Sequence, residues 1–321
     1  MPRTGYPNAS AMICMGAAAL LSSTLLQAQP GATTPVQLVR HGVQLVETGQ
    51  CTQALPLLQH NLARVTDKAL RYQGQMAAVR CAMASGEERV AADYLFEMEQ
   101  ESPGNPEILF VQTHLFSEMA MRAAKELQAR HPDSYQAQRL QAESLESEGK
   151  NDQAADIYRE ILKNHPHVAG LHYHLGQIDL AEAGDAGSTD SAQQEFEQEL
   201  EVDPTNASAA FILGELARRK EDWSHAVEYF TRATHLDVGF SEAYLALGMS
   251  LAGEGKFAEA EPALEHYVKL EPADPAGHYQ LAVAYARTGD AAAAQREMAL
   301  QAQAAARNNA TDTTQGHAVQ P

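Results

Sequence analysis

Aromatic side chains are scarce in this chain, since Phe, Trp and Tyr make up only 6% of its 321 residues. Runs of β-branched residues, which are typical of strands, are also missing, whereas alanine and glutamine are frequent. Apolar residues amount to 45% of the chain, so a large core can form from small side chains. These proportions predict a soluble, helical protein whose helices pack through small residues.

Basic residues are in short supply as well. The sequence holds 23 Lys and Arg against 42 Asp and Glu, which gives a formal net charge of -19 at pH 7. A surface of this sign repels phosphate backbones and anionic lipid headgroups. We therefore expect neither nucleic acid nor an acidic membrane as a partner.

The motifs of common catalytic sites are absent from the sequence, including His-Glu-x-x-His, Cys-x-x-Cys, Gly-x-Ser-x-Gly, Gly-x-Gly-x-x-Gly and the phosphate-binding loop. Each of these would supply a metal ligand, a nucleophile or a phosphate cradle. The repeats described below occupy the chain, so no residues remain for a separate catalytic domain. The sequence thus predicts a protein that is not an enzyme and that carries no cofactor.

Residues 1–28 have the features of a secretory signal peptide. Arg3 precedes an apolar run from Ala11 to Leu26, and the sequence LQA closes the segment at Ala28. The run is short for a membrane span, and polar residues interrupt it. We predict cleavage near Ala28, a periplasmic or secreted location, and no stable membrane insertion after cleavage. The alternative is an inner-membrane anchor formed by an uncleaved N-terminus.

Cysteine occurs only three times. Cys14 lies in the predicted signal peptide, which leaves Cys51 and Cys81 in a compartment that permits disulfides. A contact between them is possible because they fall in consecutive repeats. The favoured interpretation is that both are small, buried hydrophobic residues without a bond between them.

An internal period close to 34 residues organises the sequence. Four of the seven spacings between eight alanines are 34 residues, and the alanines are Ala54, Ala91, Ala120, Ala154, Ala192, Ala226, Ala260 and Ala294. The fourth residue after each alanine is apolar, and Leu213-Gly214 and Leu247-Gly248 are examples of a pair that lies one helix earlier. This arrangement resembles the tetratricopeptide repeat of exported bacterial proteins, in which each repeat is a pair of antiparallel helices.

The resemblance implies an all-α fold, an α-solenoid in which about eight helix-turn-helix repeats form a right-handed superhelix. Three repeats are degenerate, over residues 29–134, and five are regular, over residues 135–306. We expect residues 307–321 to be a disordered tail. The third repeat, 104–132, is five residues short, so its helices must meet in a tight turn or be nearly continuous. The fifth repeat has four extra residues, which predict a longer loop over 181–191.

Small residues mark the places where the two helices of a repeat approach or turn. Gly176, Gly214 and Gly248 lie at the predicted helix crossings together with the repeat alanines. The glycines expected at the turns, where a helix end needs a positive φ, are Gly49, Gly86, Gly149, Gly187, Gly255 and Gly289.

In the tetratricopeptide repeat family, the first helices of successive repeats line a concave face on which ligand peptides lie. By this resemblance, the predicted partner-binding residues are Tyr173, Gln177, Phe211, Glu215, Arg218, Arg219, Leu245, Met249, Tyr279, Val283 and Arg287. Aromatic rings give contact area at low entropic cost, and arginine binds carboxylates or carbonyls. The predicted function is a non-catalytic, exported scaffold for a peptide or protein, in the assembly of an envelope or secretion complex. In the alternative interpretation, the aromatic residues only fill gaps between neighbouring first helices.

A histidine-rich stretch in the fifth repeat offers a second functional hypothesis, an exported protein that handles a metal or a small ligand. The sequence HPHVAGLHYH over residues 165–174 holds four histidines, and ten acidic residues without a basic one surround it. A metal site would need His165, His167, one helical histidine and an acid such as Asp179.

The repeat pattern favours a structural interpretation of the same stretch. LHYHLG of the fifth repeat aligns with GHYQLA of the last, so that His172 matches His278. His172 and His174 lie about 200° apart around a helix and cannot readily share one ion. We therefore interpret the stretch as a repeat boundary and predict no metal site there.

Overall fold

The structure of this protein is a computed structural model that describes residues 34–182 and 186–315. Within these ranges every regular element is a helix, which confirms the predicted all-α fold. The helices are α1 (Pro35–Glu47), α2 (Cys51–Asn61), α3 (Lys68–Ala84), α4 (Glu88–Glu101), α5 (Pro106–Arg130), α6 (Tyr135–Ser147), α7 (Asn151–Asn164), α8 (Leu171–Glu182), α9 (Ala186–Val202), α10 (Ala207–Arg219), α11 (Trp223–Leu236), α12 (Ser241–Gly253), α13 (Phe257–Leu270), α14 (Pro275–Thr288) and α15 (Ala291–Gln315), with a short 3₁₀ turn after α2. None of these described helices is long and apolar enough to cross a membrane. The predicted signal peptide lies outside the described residues.

The helices form two compact units, of which the first ends at Arg122 and the second begins at Ala123. In the first unit, α1 packs on α2 and α3 on α4. In the second, the hairpins are α6–α7, α8–α9, α10–α11, α12–α13 and α14–α15. Each unit has its core between the helices of its hairpins. The hairpins confirm the predicted helix-turn-helix repeats.

The third predicted repeat is one helix rather than a hairpin. α5 continues without a break for 25 residues, so the possibility of nearly continuous helices is confirmed. Ala120 of this repeat is exposed, whereas each of the other seven repeat alanines is at most 9% exposed. The described residues supply no second helix in this repeat, and the alanine is left uncovered.

Predictions about three irregular positions are wrong. α15 continues through Gln315, so the chain from Arg307 to that residue is helical rather than disordered, and 316–321 lie outside the described residues. The loop expected over 181–191 is shorter, because α9 begins at Ala186. Residues 183–185 of that loop lie outside the described residues. Gly187 is within α9 and not at a turn.

The helix crossings within the repeats are built as the sequence predicts. A Cβ atom added to Gly214 would lie 2.6 Å from the ring of Phe230, the residue four places after a repeat alanine. The same contact joins Gly176 to Phe196, Gly248 to Leu264, and Gly42, which the prediction omits, to Leu58. Glycine therefore lets the second helix bring a large side chain directly against the backbone of the first.

The turn between the two helices of a repeat has a residue with positive φ. Five of the predicted glycines have φ between 73° and 95°, namely Gly49, Gly86, Gly149, Gly255 and Gly289. In the sixth repeat Glu221 takes this place with φ of 58°, and among the described residues it is the one non-glycine residue with positive φ. The left-handed conformation is unfavourable for a residue that has a Cβ atom.

Replacing Glu221 with glycine should raise the free energy of unfolding by about 1 kcal/mol, because it relieves this backbone strain. Urea unfolding followed by circular dichroism measures the change. Gly255→Ala at the next turn is the reciprocal control, since the added Cβ meets nothing within 4 Å and only the backbone is affected. It should lower the stability by a similar amount. Equal stabilities for the two variants and the wild type would contradict the assigned conformation.

Cys51 and Cys81 form a disulfide, so the interpretation of two separate buried residues is wrong. Their Cα atoms lie 5.1 Å apart, and the bond joins the first residue of α2 to α3, 30 residues later in the sequence. Cys81 is fully buried in the core of the first unit. The disulfide therefore links the first hairpin covalently to the second.

Candidate functional site

An open groove of about 270 Å³ lies between α10 and α12, the first helices of two neighbouring hairpins. Its walls are formed by Phe211, Glu215, Arg218, Glu242, Leu245, Ala246 and Met249. The sequence predicts five of these seven residues for the partner-binding face. Glu242 is not among them, yet it precedes Leu245 by one helical turn, so the same spacing could have identified it.

Phe211 belongs both to the groove and to the core. Its ring is half-buried, with its centroid 4.9 Å from that of Phe240 and 5.5 Å from that of Phe230. Part of the ring thus fills space between helices, as the alternative interpretation holds, and part contributes to the groove wall. Substitution of Met249, half-buried on α12, tests the groove with less disturbance of this core.

The charged groups of the groove form a partly neutralised rim. Nε and Nη2 of Arg218 donate to the two carboxylate oxygens of Glu215 at 3.0 and 2.8 Å. The hydrogen bond from Arg218 to Glu215 raises the pKa of the guanidinium further above its usual range, so this cation remains charged. Glu242 is exposed on the other helix. The groove therefore has one more carboxylate than it has cations.

Tyr173, Gln177 and Arg219 lie outside the walls of this groove. Gln177 Nε2 donates a hydrogen bond of 3.1 Å to the hydroxyl of Tyr173, and both residues are half-buried on α8. The Tyr173 ring packs edge-on against Phe196, with ring centroids 5.6 Å apart. Arg219 is exposed at the end of α10. The two α8 residues are thus packed on their own hairpin.

The three predicted residues on α14 also lie outside the groove walls. Tyr279 is 49% exposed, and Val283 is half-buried. The guanidinium of Arg287 lies over the ring of Phe257, 4.2 Å from its centroid, a cation–π contact with the preceding hairpin. The structure does not bring this trio together with the residues of α10 and α12.

Comparison with protein families assigns the repeats. The family model for the tetratricopeptide repeat matches residues 118–169, 181–237 and 245–310, which is more than half of the chain. This protein belongs to the tetratricopeptide repeat family. The groove between α10 and α12 lies within the matched repeats. No curated protein matches the sequence.

Solved structures similar to this tetratricopeptide repeat protein include YrrB, described as a TPR protein with an unusual peptide-binding site. The identity is 21%, the alignment covers 57% of this chain and 92% of that one, and the TM-score is 0.49. A crystal structure of MamA is 20% identical over 53% of this chain and 91% of that one, with a TM-score of 0.46. MamA 41-end from Desulfovibrio magneticus RS-1 is 16% identical over 55% and 97%, with a TM-score of 0.46. At these values the likenesses carry no argument about function.

The histidine-rich stretch is explained by the register of the tetratricopeptide repeats. His172 Nδ1 lies 2.7 Å from Glu195 Oε2, and His278 Nδ1 lies 2.7 Å from Glu297 Oε2. Both glutamates are the third residue after a repeat alanine, so the two pairs occupy the same place in different repeats. This confirms the predicted match of His172 with His278.

The residues of the hypothetical metal site are not brought together. The ring of His165 packs against Tyr135, with centroids 5.0 Å apart, while Asp179 accepts a hydrogen bond from Ser191. In the part of the chain that the structure describes, no group of three or more His, Cys, Asp or Glu side chains is placed to hold a metal ion. The metal-handling hypothesis therefore has no structural support.

A larger open depression of about 540 Å³ lies beside His167 and His172. It is bordered mainly by the second helices α7 and α9, and its walls include Lys163 and Glu201. A cation and an anion on the same polar wall do not select one class of small ligand. The groove between α10 and α12 remains the better candidate because its apolar floor and its charged rim are distinct.

Proposed function

We propose that this protein is a non-catalytic scaffold that binds an extended segment of a partner protein in the groove between α10 and α12. The observation that carries the proposal is the apolar floor of Leu245, Ala246 and Met249 beside the paired Glu215 and Arg218. Membership of the tetratricopeptide repeat family supports it, because first helices line the face on which peptides bind in that family.

The chemistry of the groove favours a particular partner segment. The floor suits one apolar side chain, which would be removed from water there. Arg218 uses two of its five N–H groups on Glu215, and the others can donate to backbone carbonyls of a bound peptide. The surplus carboxylate of Glu242, with a chain charge of -19, attracts a basic residue. The preferred segment is therefore an apolar residue next to Lys or Arg.

The proposed place of action is outside the cytoplasm, in an envelope or secretion complex. The signal-like segment 1–28 supports export. The disulfide between Cys51 and Cys81 supports it independently, because structural disulfides persist in oxidising compartments and are rare in the cytosol.

Peptides selected from a random display library against this protein should be enriched in an apolar residue beside Lys or Arg. Met249→Glu should weaken the selected peptides at least tenfold, about 1.4 kcal/mol, because it places a carboxylate on the apolar floor. Fluorescence polarisation with the labelled peptides measures the affinities.

Met298→Glu is the matched control, since Met298 is a 46% exposed methionine on α15 and is not a groove residue. It should leave the affinities unchanged, and circular dichroism should show both variants to be as helical as the wild type. The proposed groove is wrong if the selected peptides bind Met249→Glu as tightly as the wild type, or if both variants lose binding equally.

A further inference from the structure

The part of α5 that belongs to the first unit presents a stripe of exposed apolar side chains. Leu109, Phe110, Phe116 and Met121 are between 37% and 64% exposed. Phe116 extends the stripe to the exposed Phe96 of α4, with ring centroids 5.7 Å apart. Large apolar side chains gathered on one surface of a soluble protein mark a site of interaction.

The spacing along α5 shows what shape of partner fits this stripe. Leu109, Thr113, Phe116 and Ala120 are exposed and follow one another at intervals of four, three and four residues. This is the interval of a seam between two packed helices. The third repeat also lacks the second helix that covers the alanine in the hairpins. Both observations call for a helix as the missing cover.

α5 is complementary to itself when two copies run antiparallel. With the midpoint of the pairing between residues 114 and 115, Leu109 lies opposite Ala120 and Phe116 lies opposite Thr113. Each large side chain then faces a small one, which permits close packing without overlap. A parallel pairing would place Phe116 against Phe116 and Ala120 against Ala120, and the packing would be uneven.

The charges at the two ends of this segment have the same complementarity. The antiparallel pairing places Glu107 opposite Arg122, whose side chain stays 59% exposed although it contacts Glu88. Opposite charges thus meet at both ends of the seam, and like charges would meet in the parallel arrangement. A two-fold axis makes both ends equivalent, as in most homodimers.

We infer that a second copy of this chain covers the stripe, with the two α5 helices antiparallel about a two-fold axis. Each copy then supplies the helix that the third repeat of the other copy lacks. This inference is independent of the peptide groove, which lies on α10 and α12, so either can fail without the other.

Sedimentation of the purified protein over a range of concentrations should show a monomer–dimer equilibrium. Phe116→Lys should raise the dissociation constant at least tenfold, because it buries two unpaired charges near the axis. Ala120→Glu should have the same effect, and its exposed site keeps the variant folded. Met298→Lys, on α15, should dimerise as the wild type does. A wild type that stays monomeric, or variants that dimerise as well as it does, would overturn the inference.

The direction of the helices is tested by crosslinking in a Cys14→Ser background with a short bismaleimide. In the antiparallel pair, two Thr113→Cys positions lie about 4.5 Å apart along the axis and two Ala120→Cys positions about 16 Å apart, at 1.5 Å per residue. We expect crosslinked dimers from Thr113→Cys and none from Ala120→Cys. Crosslinking of Ala120→Cys, or of neither variant, contradicts the antiparallel pairing.

Discussion

Replacing Glu199 with alanine should lower the free energy of unfolding by about 3 to 5 kcal/mol. Glu199, on α9, is completely buried. Its carboxylate accepts hydrogen bonds from the backbone N–H of Gly170 at 2.8 and 3.0 Å and of Tyr173 at 3.3 Å, and from Asn206 Nδ2 at 3.1 Å. It therefore caps the start of α8, where free N–H groups and the helix dipole favour a negative charge.

The size of the effect follows from the number of donors that lose their acceptor. Hydrogen bonds to a charged group contribute about 1.5 to 3 kcal/mol each, and donors that stay buried without a partner add a penalty. Glu199→Gln keeps one oxygen acceptor and should lose about half as much stability. Urea unfolding, monitored by circular dichroism, measures both variants.

The matched control is Glu201→Ala, at an exposed position on the same helix. It should change the stability by less than about 0.5 kcal/mol, as is usual for surface substitutions. A loss below about 1 kcal/mol for Glu199→Ala would show that water or other groups satisfy the start of α8, and the capping role would be wrong.

Removal of the disulfide by Cys51→Ala with Cys81→Ala should lower the free energy of unfolding by about 3 to 4 kcal/mol. The bond closes a loop with a sequence separation of 30 and so restricts the unfolded chain. Closure of a loop of this length is expected to contribute about that amount. Thermal unfolding of the wild type and the double variant gives the difference.

A reductant separates the effect of the bond from that of the substitutions. Dithiothreitol should destabilise the wild type to the level of the double variant and should leave the double variant unchanged. If the wild type were equally stable with and without the reductant, the bond would not contribute to its stability.

The repeats could be predicted well because their physics is local. A hairpin needs a small residue at the crossing, a positive φ at the turn and an apolar residue one turn later, and these recur every 34 residues or so. Gly214 and Phe230 illustrate the crossing, and Gly255 illustrates the turn. The length of the third repeat was informative too, since a repeat five residues short leaves little room for a turn.

The site could be predicted only in part, because it depends on contacts between hairpins. The pairing of Glu215 with Arg218 follows from their separation of three residues on one helix. Which of the eleven predicted residues share a groove depends on the packing of α10 against α12. Glu199 is one of ten acids in its stretch of sequence, and only the folded contact with Gly170, 29 residues earlier, distinguishes it.

The bond between Cys51 and Cys81 has a consequence for proteolysis. The chain between α2 and α3, residues 62–67, lies inside the loop that the bond closes. A protease that cuts there once would leave α1 and α2 attached to the rest of the protein by the disulfide. Release of the first hairpin would require both a cut and a reduction, and few surroundings provide an active protease and a reductant together.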